Sequence, residues 1–263
     1  MDTNINTEPK VSIIMPTYNR ANYIVQAIES IQKQTYSHWE LIIIDDASTD
    51  DTASVVNDCI LKDPRIRYIR QPKNVGISYN RNYGIRNSTG KYIAMLDSDD
   101  VWSDPAKLSM QLHFLETHQE YALVGTSITV IDSNGAPVNT ISFYITDAKI
   151  RRHILRRNQF AQSSVVFTRS IFDKIQTPHR PYDESLVVAE DYDLWLAIGA
   201  KANFANLPTT TTMYRIHEGS IMRQKKVLAA RAHLQLIKKY RHVYPAFFRA
   251  YIKARIRIAL AHL

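Results

Sequence analysis

Three aspartates crowd into the stretch KYIAMLDSDDVW, residues 91–102: Asp97, Asp99 and Asp100. Carboxylates this close repel, and each raises the others' pKa unless a cation neutralises them. A divalent cation with oxygen ligands does so, and Mg²⁺ or Mn²⁺ characteristically takes one or two carboxylates together with substrate phosphates. The apolar residues just ahead, 92–96, suit one buried strand and are too few for a helix. The pattern predicts a strand that delivers an Asp-x-Asp pair to a metal at its C-terminal end, the edge at which open α/β sheets bind ligands. Asp104-Pro105 reads as the cap and first residue of the following helix. Capping therefore does not account for Asp97 and Asp99.

Other chemistry-bearing residues fall at matching places. Thr17-Tyr18-Asn19-Arg20 follows the apolar run 11–15, which Pro16 is expected to stop, and Asp45-Asp46-Ala47-Ser48 follows WELIII. In a parallel sheet these strand ends share one edge, so they form a convergent site. Tyr18 could stack on a flat base. Asp46 could accept hydrogen bonds from a ring N–H, or equally cap the helix behind it. Arg81 sits on a helix opened by the loop QPKNVGIS, and both the helix start and the guanidinium fork suit phosphate. Glu190-Asp191 opens the helix EDYDLWLAIGA, where the helix dipole alone favours carboxylates. The pair also follows an irregular loop, and a carboxylate beside a metal–phosphate centre can act as general base toward a hydroxyl. His217, in YRIHEGS, could add a neutral imidazole as third metal ligand, although an isolated histidine is more often structural.

The elements that must hold these residues alternate. Strand, helix and polar loop recur about every 30 residues through residue 103, the βαβ rhythm of a parallel sheet. The rhythm then changes. An amphipathic helix is expected over 104–118, a hairpin over 122–145 around the Asn-Gly turn in DSNGAP, and a basic helix over 148–157. Strands follow at 163–168 and 204–215. Residues 10–103 thus read as a nucleotide-binding half, 104–222 as an acceptor half closing over it, and 223–263 as a helical tail.

Charge is uneven. The net charge is +8, yet residues 221–263 hold 11 Lys/Arg and no acid, leaving 22 basic against 25 acidic residues, a net of −3, in the rest. In residues 246–263, Phe248, Ile252, Ile256, Ala259, Leu260 and Leu263 form one stripe and Arg249, Lys253 and Arg257 another. Such a basic amphipathic helix either packs on its own domain with a solvated basic face or attaches to an anionic membrane surface. Nucleic acid is not expected, since no aromatic–basic binding motif accompanies the charge. The tail helices could also pair into a homodimer. The single cysteine, Cys59, precludes an internal disulfide and fits a reducing compartment. The polar N-terminus lacks an export signal pattern, and no apolar run is long enough to span a bilayer.

Together, VSIIMPTYNR, ELIIIDDASTDDT, GKYIAMLDSDDVW, EDYDLWL and YRIHEGSIM resemble the family 2 glycosyltransferases of the GT-A fold, over residues 10 to 222. The resemblance implies an α/β fold, Rossmann-like with a mostly parallel central sheet flanked by helices, here with a C-terminal helical extension. It implies an inverting transferase that takes a sugar from a UDP-sugar with Mn²⁺ or Mg²⁺. Carried over by position, Tyr18 and Asp46 would contact uracil, with Pro16 and Arg20 shaping that pocket. Arg81 would face the base or diphosphate. Asp97, followed by Ser98, would lie toward ribose and sugar, Asp99 would bind the metal, and His217 would join the metal or diphosphate site. Asp191 would be the catalytic base, with Glu190 beside it. Ala47 stands where Gly or Asn is frequent in the family. A glycine frequent before the acceptor loop is absent near Thr177-Pro178. The Gln-x-x-Arg-Trp element and C-terminal span of processive synthases are also missing, so a single addition is expected. The acceptor would be a bacterial surface polysaccharide or lipooligosaccharide, as a glycan or a lipid-linked glycan, at the cytoplasmic face of the inner membrane. Rival readings are a sugar-1-phosphate nucleotidyltransferase, for which no Gly-rich phosphate loop is found near the first strand, and a non-catalytic glycan- or nucleotide-binding module, which would not need Asp191.

Overall fold

The computed structural model describes residues 10–217 and 226–260. The expectations placed on residues 1–9 (no export signal), on 218–225 (the end of the YRIHEGSIM match and the start of the tail) and on Leu263 lie outside the described residues.

Four strands form the parallel part of the sheet: β1 (Val11–Thr17), β2 (Trp39–Asp45), β3 (Ile66–Arg70) and β4 (Tyr92–Met95), in spatial order β3-β2-β1-β4. Their residues alternate between the two faces, as strands covered on both sides must. Val11, Ile13 and Met15 pack with helices α1 (Ala21–Gln32), α2 (Thr52–Ile60) and α4 (Lys107–Thr117). Ile14, Ile42, Ile44 and Met95 face the opposite layer, beneath α3 (Ile77–Arg86). Gly84 brings α3 close to the sheet, for a Cβ there would lie 2.6 Å from Ile44 Cδ1 and 2.7 Å from Ile14 Cγ2.

Pro16 does not stop β1, which runs on to Thr17 with Pro16 opposite Ile44. The Ile14 carbonyl accepts from the Leu96 amide (3.2 Å). Pro16, two residues on, faces the same side beyond the end of β4, so its missing N–H costs no ladder bond. Asp104 likewise does not cap α4. Its Oδ1 accepts from the Ala106 amide at 2.8 Å and closes a turn, and the helix begins at Lys107.

Beyond β4 the sheet turns mixed, in the order β8-β6-β9-β5. The hairpin forms as expected from β6 (Tyr121–Ile131) and β7 (Pro137–Ile141), and β9 (Asn203–Arg215) runs parallel to β6. Strand β8 (Val166–Thr168) is shorter than expected because Gln162–Ser164 coil into a 3₁₀ turn with buried polar side chains. A two-residue strand, β5 (Val101–Trp102), leaves the first half of the chain to pair antiparallel with β9. The expected halves therefore share one continuous sheet.

Helices α5 (Asp147–Ile154) and α7 (Glu190–Gly199), with the four-residue α6 (Ile171–Lys174), join the layer that holds α3. The tail completes it. Helix α8 (Lys226–Lys239) buries Leu236 and Ile237, and α9 (Phe247–Leu260) packs through the small residues Ala250 and Ala254. Phe248, Ile252 and Ile256 point away, at 77%, 59% and 55% exposure. The apolar stripe of α9 is thus not its packing face. Among the described residues no helix is long and apolar enough to cross a membrane.

Candidate active site

The C-terminal ends of β1, β2 and β4 and the N-terminal ends of α3 and α7 open into one cleft of about 1270 Å³. Every predicted site residue except His217 lines it, and His217 joins through Asp99.

At the β1–β2 end, Tyr18 lines the cleft and stands 43% exposed. The two adjacent aspartates part company. Asp45 is fully buried and accepts from the Ser48 hydroxyl and amide and the Tyr68 hydroxyl. Asp46 accepts from the amides of Val75 (2.7 Å) and Gly76 (3.0 Å), so in this structure its carboxylate fixes the loop that opens α3. Ala47 between Asp46 and Ser48 is left-handed, φ 63°. That conformation favours Gly or Asn and gives a physical reason for their frequency at this position.

The three crowded aspartates are resolved by three different sets of partners. Asp97 accepts from Arg81 Nη2 at 2.8 Å, and its backbone N–H donates to Ser163 Oγ at 3.1 Å. Asp99 Oδ2 takes Arg20 Nε at 3.1 Å and lies 2.9 Å from His217 Nε2. Burial alone would raise the Asp99 carboxyl pKa, but the His217 hydrogen bond and the Arg20 charge outweigh it and hold it below the usual range. Asp100 points away from the cleft and accepts from the Ser163 hydroxyl and the Arg215 amide. Burial first, then the charges of Asp99 and Asp97, push its carboxyl well above the usual range. Ser98 is buried between them and reaches the cleft wall.

Arg81 spans the site. Its guanidinium bonds Asp97 with one nitrogen and Glu190 with another, joining α3 to the first turn of α7. Burial opposes its charge, but the two carboxylates more than offset that and keep it protonated. Ala189 just ahead is left-handed, φ 63°, and turns the chain so that Glu190 and Asp191 enter the cleft side by side. Among the described residues Asp191 holds a 3.4 Å contact from Asn158 Nδ2 and a bond from its neighbour's amide, Tyr192 N, at 2.6 Å. Enclosure in the cleft, followed by the adjacent Glu190 charge, pushes its carboxyl up to about 7. A carboxylate tuned there is matched to proton abstraction near neutrality.

Sequence reasoning overlooked four residues. Asn158 orients Asp191, Ser163 ties Asp97 to Asp100, and Arg215 reaches the Asp99 carbonyl at 2.9 Å. Gln162 lines the cleft, donates to the Tyr182 hydroxyl (2.9 Å) and keeps a buried Oε1 with no hydrogen-bond partner among the described residues, an acceptor suited to a substrate hydroxyl. No local signal marks them, since each is defined by contacts across the sheet.

Among the described residues no three His, Cys, Asp or Glu side chains converge as a self-sufficient metal cage. One carboxylate and one imidazole do meet, at Asp99 and His217. This oxygen-plus-nitrogen pair suits Mn²⁺, and also Mg²⁺ when substrate phosphates supply the rest of the shell. The residues therefore fit a metal that arrives with a diphosphate.

This architecture is that of GT-A glycosyltransferases. Superposition on TarS from S. aureus in complex with UDP-GlcNAc gives a TM-score of 0.71 at 20% identity, covering 94% of this chain and 72% of that one. A mannosyltransferase from Pyrobaculum calidifontis, solved with GDP-Man and Mn²⁺, gives 0.68 at 18% identity over 97% of this chain and 75% of that one. Residues 12–227 match the family model for glycosyl transferase family 2. The chain belongs to that family. It is 35% identical over 225 residues to WfaP of Escherichia coli, a UDP-Glc:α-D-GlcNAc-diphosphoundecaprenol β-1,3-glucosyltransferase, covering 82% of this chain and 80% of WfaP. An uncharacterized glycosyltransferase of Rickettsia felis is also 35% identical over 81% of this chain, but the chain spans only 34% of that protein's length.

Proposed function

We propose that this glycosyltransferase moves a sugar from a UDP-sugar to a hydroxyl of a lipid-linked bacterial glycan, with inversion to a β-linkage. The observation that carries the reading is one cleft with Asp97 and Asp99 on one wall and a proton-hungry Asp191 on the other. WfaP, which acts on a GlcNAc-diphosphoundecaprenol acceptor, supplies the substrate class. Tyr18 stacks on the base, while Asp46 and Pro16 shape the pocket around it. Arg20, Arg81 and Ser98 border the diphosphate and ribose. Asp99 and His217 would hold Mn²⁺ or Mg²⁺, which would supply Lewis-acid stabilisation of the charge on the departing diphosphate. Gln162 takes a sugar hydroxyl. Asp191 accepts the acceptor hydroxyl's proton as that oxygen bonds to the anomeric carbon and the bond to UDP breaks. Glu190, paired to Arg81, lies beside Asp191 and raises the base's proton affinity by like-charge repulsion. Residues 10–103 supply the donor contacts and 104–222 most of the acceptor contacts.

UDP release across a panel of UDP-sugars, with a GlcNAc-diphosphate lipid as acceptor, tests this directly. One donor should turn over with Mn²⁺ or Mg²⁺ and cease in EDTA, and the product should be β-linked. An α-linked product would overturn inversion. Absence of both turnover and a UDP–Mn²⁺ thermal shift would overturn the uridine assignment.

The tail fits attachment to an anionic bilayer at its cytoplasmic face. The exposed stripe of Phe248, Ile252 and Ile256 is flanked by the exposed Arg249, Lys253 and Arg255. An apolar stripe with basic flanks is the pattern of an interfacial helix. Flotation with anionic but not neutral vesicles is the expected result. No flotation, with sedimentation as a dimer, would instead assign the stripe to a second copy.

A further inference from the structure

The cleft is wider than the donor site, and part of its wall carries cations with no role so far. Arg157, just after α5, Lys226, at the start of α8, and Arg257, on α9, all line it. They differ from Arg20 and Arg81, which are locked to Asp99, Asp97 and Glu190. Among the described residues none of these three forms an ion pair with a carboxylate. They reach this one cleft from three separate elements, so they are not the solvated face of one helix. Arg257 lies near enough to Tyr192, the neighbour of Asp191, for its charge to act on the Tyr192 phenol and on His233. Phe143 lies under the Arg157 guanidinium, 5.8 Å from ring to carbon. Cations gathered without counter-charges at the base's side of a substrate cleft call for an anion carried by the substrate. Guanidinium forks fit phosphate oxygens in particular.

We propose that Arg157, Lys226 and Arg257 form a subsite for the phosphate group attached to the acceptor sugar. The inference rests on the glycosyltransferase reading above and adds the part of the acceptor that the donor logic leaves unspecified. The acceptor sugar sits with its hydroxyl at Asp191 and its anionic aglycone against this wall. Because α9 carries both Arg257 and the exposed apolar stripe, a lipid leaving the phosphate meets the face of the molecule that suits a membrane. The phosphate could belong to a lipid diphosphate or to the phosphodiester backbone of a polymer, and both share the chemistry read here.

The test is calorimetry on the full chain saturated with UDP and Mn²⁺, using two probes that carry no sugar: a short-chain alkyl diphosphate and a dialkyl phosphodiester. At least one should bind in the presence of UDP. The Arg157→Ala/Arg257→Ala variant should weaken it about tenfold or more, the scale of lost charged hydrogen bonds. The Lys-for-Arg double variant should recover part of the loss and show that charge, not folding, is read. A preference for the diphosphate of about tenfold or more assigns a lipid diphosphate, and a preference for the diester assigns a polymer backbone. Binding of neither probe, displacement of the probe by UDP, or affinity unchanged in the variant overturns the subsite. These readouts need no turnover, so an inactive donor panel would count against the proposed reaction without deciding the subsite.

Discussion

The two ends of the cleft handle charge in opposite ways. At the proposed donor end these acidic groups all have partners: Asp45 has Ser48 and Tyr68, Asp46 the Val75 and Gly76 amides, Asp97 Arg81, and Asp99 Arg20 and His217. At the proposed acceptor end Asp191 is held by one long side-chain contact and a neighbouring amide, and among the described residues Arg157, Lys226 and Arg257 pair with no carboxylate. A satisfied network is rigid and preorganised, which suits a ligand whose nucleotide part does not vary. Groups left short of partners keep their interaction energy for the substrate.

The sharpest break of this contrast is Asp191→Asn. It should lower turnover by about 10²–10⁴-fold, the usual worth of a general base, while UDP affinity measured by calorimetry stays near wild type. Near-normal transfer in this variant would remove Asp191 from the base's role. Arg81→Met should come next, and as a stability effect. It strands Asp97 and Glu190, and breaking a buried pair by removing one partner costs about 3–5 kcal/mol, to be read by chemical denaturation.

The pH dependence separates the two ends again. With its carboxyl pushed up to about 7, Asp191 is protonated at pH 5 and ionised at pH 8. kcat/KM should therefore rise through that range and level off above it. The stability consequence has the opposite sign. The folded pKa exceeds the unfolded one, so the unfolded chain ionises first, and stability falls as pH rises from about 4 to 7. Asp191→Asn should thus melt higher than wild type at pH 8, with the difference vanishing at pH 4. A difference that persists at pH 4 would mean that ionisation is not the cause.

Smaller effects test the periphery. Phe248→Ser/Ile252→Ser should change stability by under about 0.5 kcal/mol, as exposed substitutions do, yet abolish flotation with anionic vesicles. Ala47→Gly should raise stability by about 1 kcal/mol by relieving a left-handed alanine, with UDP affinity unchanged. A lower melting temperature would show that the turn is held by more than its backbone.

The parts of this arrangement set by short-range pattern were legible from residues alone. Apolar runs ending in Asp45-Asp46 and Asp97-Ser98-Asp99 announce strands that end at a site, and the structure brings those ends to one edge. What escaped depends on distance or on facing. Asp99 and Asp100 look equivalent in sequence, yet one faces Arg20 and the other Ser163, because Ser163 and Arg215 arrive from far along the chain. Pro16 looked like a stop because sequence does not show that β4 has already ended beside it. In α9 two stripes satisfy the helical period, and hydrophobicity points to Phe248, Ile252 and Ile256 as the core face. The helix packs instead through Ala250 and Ala254, whose small size allows close approach and leaves no strong mark in the sequence.

The Asp97–Arg81–Glu190 link bears on how such enzymes can be recombined. Arg81 and Asp97 are read from the first half of the chain and Glu190 from the second, 109 positions after Arg81. A chimera that exchanges one half for a relative's inherits the link only if both parents carry it. Otherwise it gains a buried charge without a partner, directly beside Asp191, the proposed base. Crossovers aimed at changing acceptor choice should therefore keep Arg81 and Glu190 together as one inherited unit and place their variation elsewhere, along the wall of Arg157, Lys226 and Arg257.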